Sequence, residues 1–320
     1  MFMDYFTLLR KAIEQKRLAG KNKTAENYAT ASRVFKQFLS EHPKLVNEQT
    51  RSKEIMPIEK ISHSLIQSFE QWLIEKRGCM RNSSSAYLRN LRAVYNQAVE
   101  DEICSDNRPF RNVYTGVDTT RKRAISKKDM QQIMSTNLSQ HTGLELSRDI
   151  FIFSFIARGM AFIDIAKLTK KNIQDERIIY TRSKTGQQIS LEYSKELKRI
   201  VKKYENPRRI RLFPIINDSC FNQKEYESAL HLYNSNLSRI SSIAGLSHPI
   251  TSYSARHSWA TQAFKLKIPI KIISSCMGHT SERTTRIYLE QLKENELDRK
   301  CRIVIRQYED LLTKTICKKH

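Results

Sequence analysis

Met277-Gly278-His279-Thr280-Ser281-Glu282-Arg283-Thr284-Thr285-Arg286-Ile287-Tyr288 places a histidine and a tyrosine nine residues apart around a Thr-Thr pair. A phenol has an unperturbed pKa of about 10, so a tyrosine that acts as a nucleophile needs positive charge nearby. Candidates lie upstream. Tyr253-Ser254-Ala255-Arg256-His257 opens a helical stretch, and Ile150-Phe151-Ile152-Phe153-Ser154-Phe155-Ile156-Ala157 is apolar nearly all round before Arg158. A helix that apolar must be buried. A guanidinium at its end is costly unless it meets an anion, either a carboxylate such as Asp164, six residues on, or a phosphate.

Between these two arginines, Arg177-Ile178-Ile179-Tyr180-Thr181-Arg182 and Gln188-Ile189-Ser190-Leu191-Glu192-Tyr193 are β-like runs joined through Ser183-Lys184-Thr185-Gly186. The pattern predicts a hairpin, with Gly186 able to take a positive φ and Lys184 projecting from a tight turn. A lysine there is ordinarily just solvated. Ser126-Lys127-Lys128-Asp129 has capping-box form and predicts a helix running toward Met134.

The first half reads as helical throughout. Tyr28, Ala31, Val34, Phe35, Phe38 and Leu39 recur at three- and four-residue steps, with Arg33 and Lys36 between them. A second helix carries Leu65, Phe69, Trp72 and Leu73. A third is expected to follow Asn82-Ser83-Ser84-Ser85, whose hydroxyls suit an N-cap, with Leu88, Leu91, Tyr95 and Ala98 inward and Arg89, Arg92 and Asn96 outward. These stripes are read as core. The serine cluster beside Arg81 either caps the helix or hydrogen-bonds a phosphate. The expected fold class is therefore mainly α, with a small antiparallel β-sheet confined to the C-terminal domain.

Charge selects the partner. The chain has 320 residues, with 56 Lys+Arg against 33 Asp+Glu, and its net charge of +23 suits a polyanion whose counterions are released on binding. Residues 1–120 carry 19 basic and 14 acidic side chains, net +5; residues 121–320 carry 37 and 19, net +18. Most of the attraction belongs to the second half. Lys195 to Arg211 alone hold eight basic and two acidic residues, including Lys202 and Lys203, and form either a phosphate-contacting run or a solvated helix face. With no 18-residue apolar stretch and no leader, the chain is expected to be cytoplasmic and to have no membrane partner. Its six cysteines form no CxxC pair and are expected to be reduced. Cys276 and His279 have metal-like spacing, but two further ligands at short range are missing, so no zinc is expected.

Asp106-Asn107-Arg108-Pro109-Phe110 and the basic Arg121-Lys122-Arg123 mark a boundary, because Pro109 disfavours helix before it and the run that follows lacks apolar periodicity. The expected organisation is a helical domain over 1–105, a linker over 106–124, a second domain over 125–303 and a tail over 304–320. The linker either lies along a duplex or is merely a solvated connector. In the tail, Val304, Ile305, Tyr308, Leu311 and Leu312 have helical spacing and must pack at home or on a neighbour.

Taken in order, Arg158, Lys184, Tyr253-x-x-Arg256, Gly278-His279 and Tyr288 resemble the tyrosine recombinases, or phage integrase family. That family carries an Arg after a buried helix, a Lys on a β-hairpin, a His-x-x-Arg box, a Gly-His box and a nucleophilic Tyr. The resemblance runs from about residue 125 to 300, and the helical first half is similar to the family's core-binding domain. It implies a site-specific recombinase, integrase or invertase, that cleaves and rejoins double-stranded DNA through a 3′-phosphotyrosine intermediate. It implies no ATP, metal or other cofactor, and a homotetramer on paired sites with accessory DNA-bending proteins.

The roles it implies follow phosphoryl-transfer chemistry. Attack on an anionic diester builds charge on the non-bridging oxygens, so preorganised donors should supply much of the rate. Arg158 and Arg256 would clamp those oxygens, with Tyr253 and His279 donating further hydrogen bonds. Tyr288 would attack, and Lys184 would protonate the departing 5′ oxygen. Asp164 and His257 would support these groups from behind. Arg81, Arg89, Arg92, Arg121, Lys122, Arg123, Lys202 and Lys203 are the candidate DNA contacts.

The chain departs from the pattern at two points. Tyr253 stands where a histidine is usual and is a poor proton acceptor at neutral pH. In Arg158-Gly159-Met160-Ala161-Phe162-Ile163-Asp164 the acidic residue comes later than in the common pattern. Two other readings stay open: type IB topoisomerase-like relaxation, and an inert DNA-binding regulator on the same fold.

Overall fold

The computed structural model describes residues 3–43, 55–118, 124–218 and 220–286. The chain divides into two compact units, residues 1–120 and 121–320.

The first unit contains four long helices among its described residues: α1 (Tyr5–Leu18), α2 (Asn22–Glu41), α3 (His63–Glu75) and α4 (Arg81–Glu100). Asp4 starts α1 by accepting from the backbone N–H groups of Phe6 and Thr7, and its Oδ1 also takes the Met56 N–H at 2.9 Å. Ser62 caps α3. The predicted apolar stripe of α2 turns inward, with Ala31, Val34, Phe35 and Phe38 buried. Phe69 of α3 meets the Phe35 ring at 5.0 Å and the Phe38 ring at 5.2 Å. Each such ring stabilises the unit by about 1.5–3 kcal/mol through burial.

Two expectations need correction here. Met80, not the serine run, is the N-cap of α4; Ser84 and Ser85 lie inside the helix, fully buried. Their small side chains let another segment come close: Ser85 Oγ donates to the Gly116 carbonyl at 2.5 Å. That segment is the second correction, because residues 106–118 pack on this unit instead of forming a free connector. Phe110 and Val113 enter its core, and the Tyr114 N–H donates to Glu70 Oε1 at 2.8 Å. Isolated anchors of this kind leave no periodic trace. The rest of the expected linker, 119–123, and the tail, 304–320, lie outside the described residues.

The second unit wraps helices around one small sheet. It runs α5 (Lys127–Ser135), α6 (Thr142–Ile156), α7 (Phe162–Lys167), β1 (Ile173–Gln174), β2 (Arg177–Thr181), β3 (Gln188–Glu192), α8 (Lys195–Lys203), α9 (Gln223–Ile243), α10 (Ser254–Lys265) and α11 (Ile270–Met277). The Ser126/Asp129 capping box forms at the start of α5. The strands are antiparallel in the order β1-β2-β3, with Ile178 opposite Leu191 and Tyr180 opposite Ile189. These four side chains share the buried face and join Phe151 and Phe153 of α6 in the core. A smaller cluster of Ala260, Ala263, Ile273 and Met277 fastens α10 to α11. Among the described residues, no helix is long and apolar enough to cross a membrane.

Candidate active site

Arg256 is the hub of this unit. It sits in the first turn of α10, is 2% exposed, and joins its guanidinium to two segments that are far apart in sequence. Nη1 donates to the Gly159 carbonyl at 2.7 Å, and Nη2 donates to the Met277 carbonyl at 2.6 Å. Nη2 also lies 3.0 Å from His279 Nε2. The backbone permits this only through glycine. At Gly159, φ is +73°, and a Cβ there would stand 2.8 Å from Arg256 Cα. The preceding residue, Arg158, is itself held at φ +60°. Strain of this kind in a non-glycine residue is retained where the surroundings over-determine it.

The hydrogen bonds assign the tautomer of His279. An arginine only donates, so Nε2 accepts from Arg256 and the proton sits on Nδ1. Nδ1 then donates to Thr285 Oγ1 at 2.8 Å. Both partners are buried, Thr285 completely and His279 at 8% exposure. The second threonine of the Thr-Thr pair is therefore what orients the imidazole.

The hairpin carrying Lys184 is fastened to this hub. Asp164, 3% exposed in α7, accepts the Ser183 N–H on Oδ1 at 2.9 Å. Thr185 Oγ1 donates to the Gly278 carbonyl at 3.1 Å. Arg182, 4% exposed, donates through Nη1 to the same carbonyl at 2.8 Å and also to the Met277 carbonyl. Gly278 takes φ +61°, and a Cβ on it would lie 2.7 Å from Ile189 Cδ1 and 3.0 Å from Arg182 Cδ. A larger residue there would have to push those side chains aside and adopt a backbone conformation that favours glycine. Lys184, Arg182, Asp164, Tyr253 and Arg256 together line one pocket of about 310 Å³. Burial holds the Tyr180 phenol well above the usual range, assisted by Asp164 and opposed by Arg256, Arg182 and Arg158.

Other expected residues are placed as follows. Arg158 reaches Cys276 Sγ at 3.8 Å, and no ion pair joins it to Asp164 among the described residues, because that carboxylate holds the hairpin backbone. Tyr253 is 43% exposed, with its ring 5.2 Å from that of the buried His257. Arg89 Nη1 donates to the Gly116 carbonyl at 2.7 Å, and Arg92 Nη1 donates to Thr115 Oγ1 at 2.7 Å. Arg81 stacks 3.8 Å over the Tyr114 ring. Lys203 is held by Asp149 at 2.7 Å and by Glu145 at 2.5 Å, whereas Lys202, exposed like Lys203, makes no ion pair among the described residues. Tyr288 and Arg121, Lys122 and Arg123 lie outside the described residues.

Sequence reasoning missed Arg182 and the role of Thr285. A signal for Arg182 was present: strand alternation puts residues 178, 180 and 182 on one face, and a basic residue at an inward position has to be satisfied by something.

Comparison with known proteins agrees with this architecture. Residues 123–295 match the phage integrase family, and residues 2–113 match the phage integrase SAM-like domain. The tyrosine recombinase XerC of Leptospira interrogans is 22% identical over 245 residues, which is 76% of this chain and 78% of that protein. XerC of Rickettsia prowazekii is 21% identical over 249 residues, covering 75% and 79%. In fold, the chain is similar to a lambda integrase tetramer bound to a Holliday junction (TM-score 0.64, 15% identity, 90% of this chain and 77% of that one). It is also similar to the Tn1549 transposon integrase in complex with transposon right end DNA (TM-score 0.62, 16% identity, 93% and 99%).

Proposed function

Because the chain belongs to the phage integrase family, the tyrosine recombinases, we propose that it is a site-specific DNA recombinase working through a 3′-phosphotyrosine intermediate. The observation that carries this reading is the Arg256 hub. One buried guanidinium ties the Arg158-Gly159 turn to the Gly278-His279 turn, beside a pocket that Lys184 also lines.

In the proposed reaction the Tyr288 oxygen attacks phosphorus while Arg158 and Arg256 stabilise the charge growing on the non-bridging oxygens. The bond to the 5′ oxygen breaks, its electron pair goes to that oxygen, and Lys184 supplies the proton. Tyr253, half exposed at the pocket rim, donates to a phosphate oxygen in place of the usual histidine. His279 accepts from Arg256 on Nε2, which sets its imidazole beside the clamp. The covalent link conserves the energy of the diester, so a 5′ hydroxyl from a second strand can attack it without ATP.

The proposed partners are two double-stranded DNA sites and further copies of this chain, at an integrating or invertible mobile element. In the test, the full chain is incubated with nicked duplexes tiled across the DNA flanking its gene, and a protein–DNA adduct is sought on a denaturing gel. The expected result is an adduct that Tyr288→Phe abolishes while DNA binding persists. A wild-type chain that binds a tile with strong salt dependence but forms no adduct would instead be an inert DNA-binding regulator.

A further inference from the structure

We propose that Arg182 is a positioning residue for proton donation: it fixes the hairpin bearing Lys184 onto the Gly278-His279 turn, and so sets where the ammonium stands relative to the phosphate clamp. The inference rests on the proposed recombinase reading, and on Lys184 as the acid within it.

Lys184 is exposed, and among the described residues it makes no hydrogen bond or ion pair of its own. Its position is therefore set by its neighbours. Arg182 controls the turn in two ways. Its backbone closes the turn, with its N–H donating to the Gln187 carbonyl at 2.8 Å and its carbonyl accepting from the Gly186 N–H at 2.9 Å. Its side chain leaves the strand on the buried face and ends on the Met277 and Gly278 carbonyls.

Those carbonyls are the end of α11, where unsatisfied C=O groups concentrate partial negative charge and favour a cation. Met277 O is shared, because it also accepts from Arg256 Nη2 at 2.6 Å. The two guanidiniums thus meet on one carbonyl, and any displacement of the hairpin is referred to the same atom that locates Arg256. Thr185 adds a second tie to Gly278 O at 3.1 Å, and Asp164 holds Ser183 from the opposite side. Lys184 is the untethered tip between these anchors.

A lysine could not replace Arg182. Its ammonium is a point donor on a flexible stem, whereas arginine carries Nη1, the one nitrogen that donates to both carbonyls, at the end of a rigid planar group. Arg182 Nε is buried with no hydrogen-bond partner among the described residues. An unmatched donor is tolerated here in order to place the other end of the group on the turn.

The experiment compares two scissile linkages in the full-length chain. In the ordinary substrate the departing 5′ oxygen must be protonated. In a 5′-bridging phosphorothiolate the P–S bond breaks and the pair stays on sulfur as a stable thiolate, so no proton is needed. Arg182→Met, Arg182→Lys and Thr185→Val are assayed for adduct formation on both, beside wild type and Lys184→Ala. A loss of placement near 1 Å costs about 100-fold in rate. Arg182→Met is expected to lose about that factor on the oxygen substrate, with Arg182→Lys close behind and Thr185→Val less affected. On the sulfur substrate all three should come within about threefold of wild type, as should Lys184→Ala, since the acid is no longer required.

A misfolded variant would fail on both substrates, so recovery on sulfur distinguishes positioning from a general structural role. If Lys184→Ala recovers on sulfur and Arg182→Met does not, the positioning role is overturned while the function stands. If Arg182→Met cleaves the oxygen substrate like wild type, it is likewise overturned. If Lys184→Ala shows no recovery, or wild type forms no adduct on either substrate, the assignment of Lys184 or of the reaction itself falls, and this proposal with it.

Discussion

Replacing Gly159 with alanine tests whether the Arg158-Gly159 turn is really pressed against Arg256. At φ +73° an L side chain costs about 1–2 kcal/mol, and the stiffer unfolded chain returns about 0.4–1 of that. The new methyl would also stand 2.8 Å from Arg256 Cα and 2.9 Å from its Cγ. One of those atoms is backbone and cannot swing aside, so overpacking adds about 1–3 kcal/mol. The sum is a loss of roughly 1–5 kcal/mol. Gly245 supplies the control, because it has φ +68° in the same unit and nothing within 4 Å of an added Cβ. Gly245→Ala should cost only the conformational part, at most about 1.6 kcal/mol. The chain has two tryptophans, Trp72 in the first unit and Trp259 in α10, so both variants are made in a Trp72→Phe background and unfolded in urea with Trp259 fluorescence as the probe. Equal losses for Gly159→Ala and Gly245→Ala would refute the close approach and, with it, the idea that Gly159 exists to let Arg256 reach its carbonyl.

Thr285→Val keeps the shape but removes the acceptor of the His279 Nδ1 proton, and leaving that buried donor unmet should cost about 1–3 kcal/mol in the same fluorescence assay, with Thr285→Ser largely preserving stability. An unchanged urea midpoint in Thr285→Val would sink the tautomer assignment. Glu41 is held down to about pKa 2, below the usual carboxylate range, first by Lys76, then by Trp72 Nε1 and Gln37. Its folded pKa lies below the unfolded one, so its contribution is full above pH 4.5 and is lost as pH falls toward about 2. The stability difference between wild type and Glu41→Gln should shrink across that window; a difference that stays flat contradicts the assigned bonds. Finally, if phosphate contacts dominate, log K for duplex binding falls linearly with log[salt]. Lys202→Ala should lower the slope by about 0.9, whereas an unaltered slope would remove Lys202 from the interface.

What the sequence made legible was whatever repeats or follows a local rule. The inward stripe of α2, the capping box at Ser126, the apolar second half of α6 and the alternating hairpin strands each announce themselves within a dozen residues. Single long-range anchors do not. Ser84 and Ser85 look like caps because serine favours caps, yet both are buried inside α4, where Ser85 donates to the Gly116 carbonyl. Phe110 and Val113 sit in a stretch without period, so their burial could not be foreseen from pattern. Lys203 belongs to a basic run in sequence but to Asp149 and Glu145 in space. In the candidate site, motif order singles out Arg256 and His279, which hydrogen-bond one another. It is silent on Arg182 and Thr285, whose importance arises only from the carbonyl and the imidazole they touch.

The partners of these cations also explain how buried guanidiniums are fixed by the backbone around them. A buried guanidinium needs either a carboxylate or enough dipoles, and a carboxylate partner would have to be displaced by any incoming phosphate. Arg182 takes carbonyls at the end of α11, and Arg256 takes Gly159 O, Met277 O and the His279 imidazole. Asp164, the buried carboxylate closest in sequence to Arg158, uses Oδ1 for the Ser183 backbone. Carbonyl dipoles fix the direction of a guanidinium and meet its hydrogen-bonding needs. Under the proposed function the Met277 carbonyl is the useful atom, because it accepts from both Arg182 and Arg256 and so holds the Lys184 hairpin and the phosphate clamp in one frame. Gly159, which a Cβ would drive against Arg256 Cα, lets the second carbonyl reach the same guanidinium.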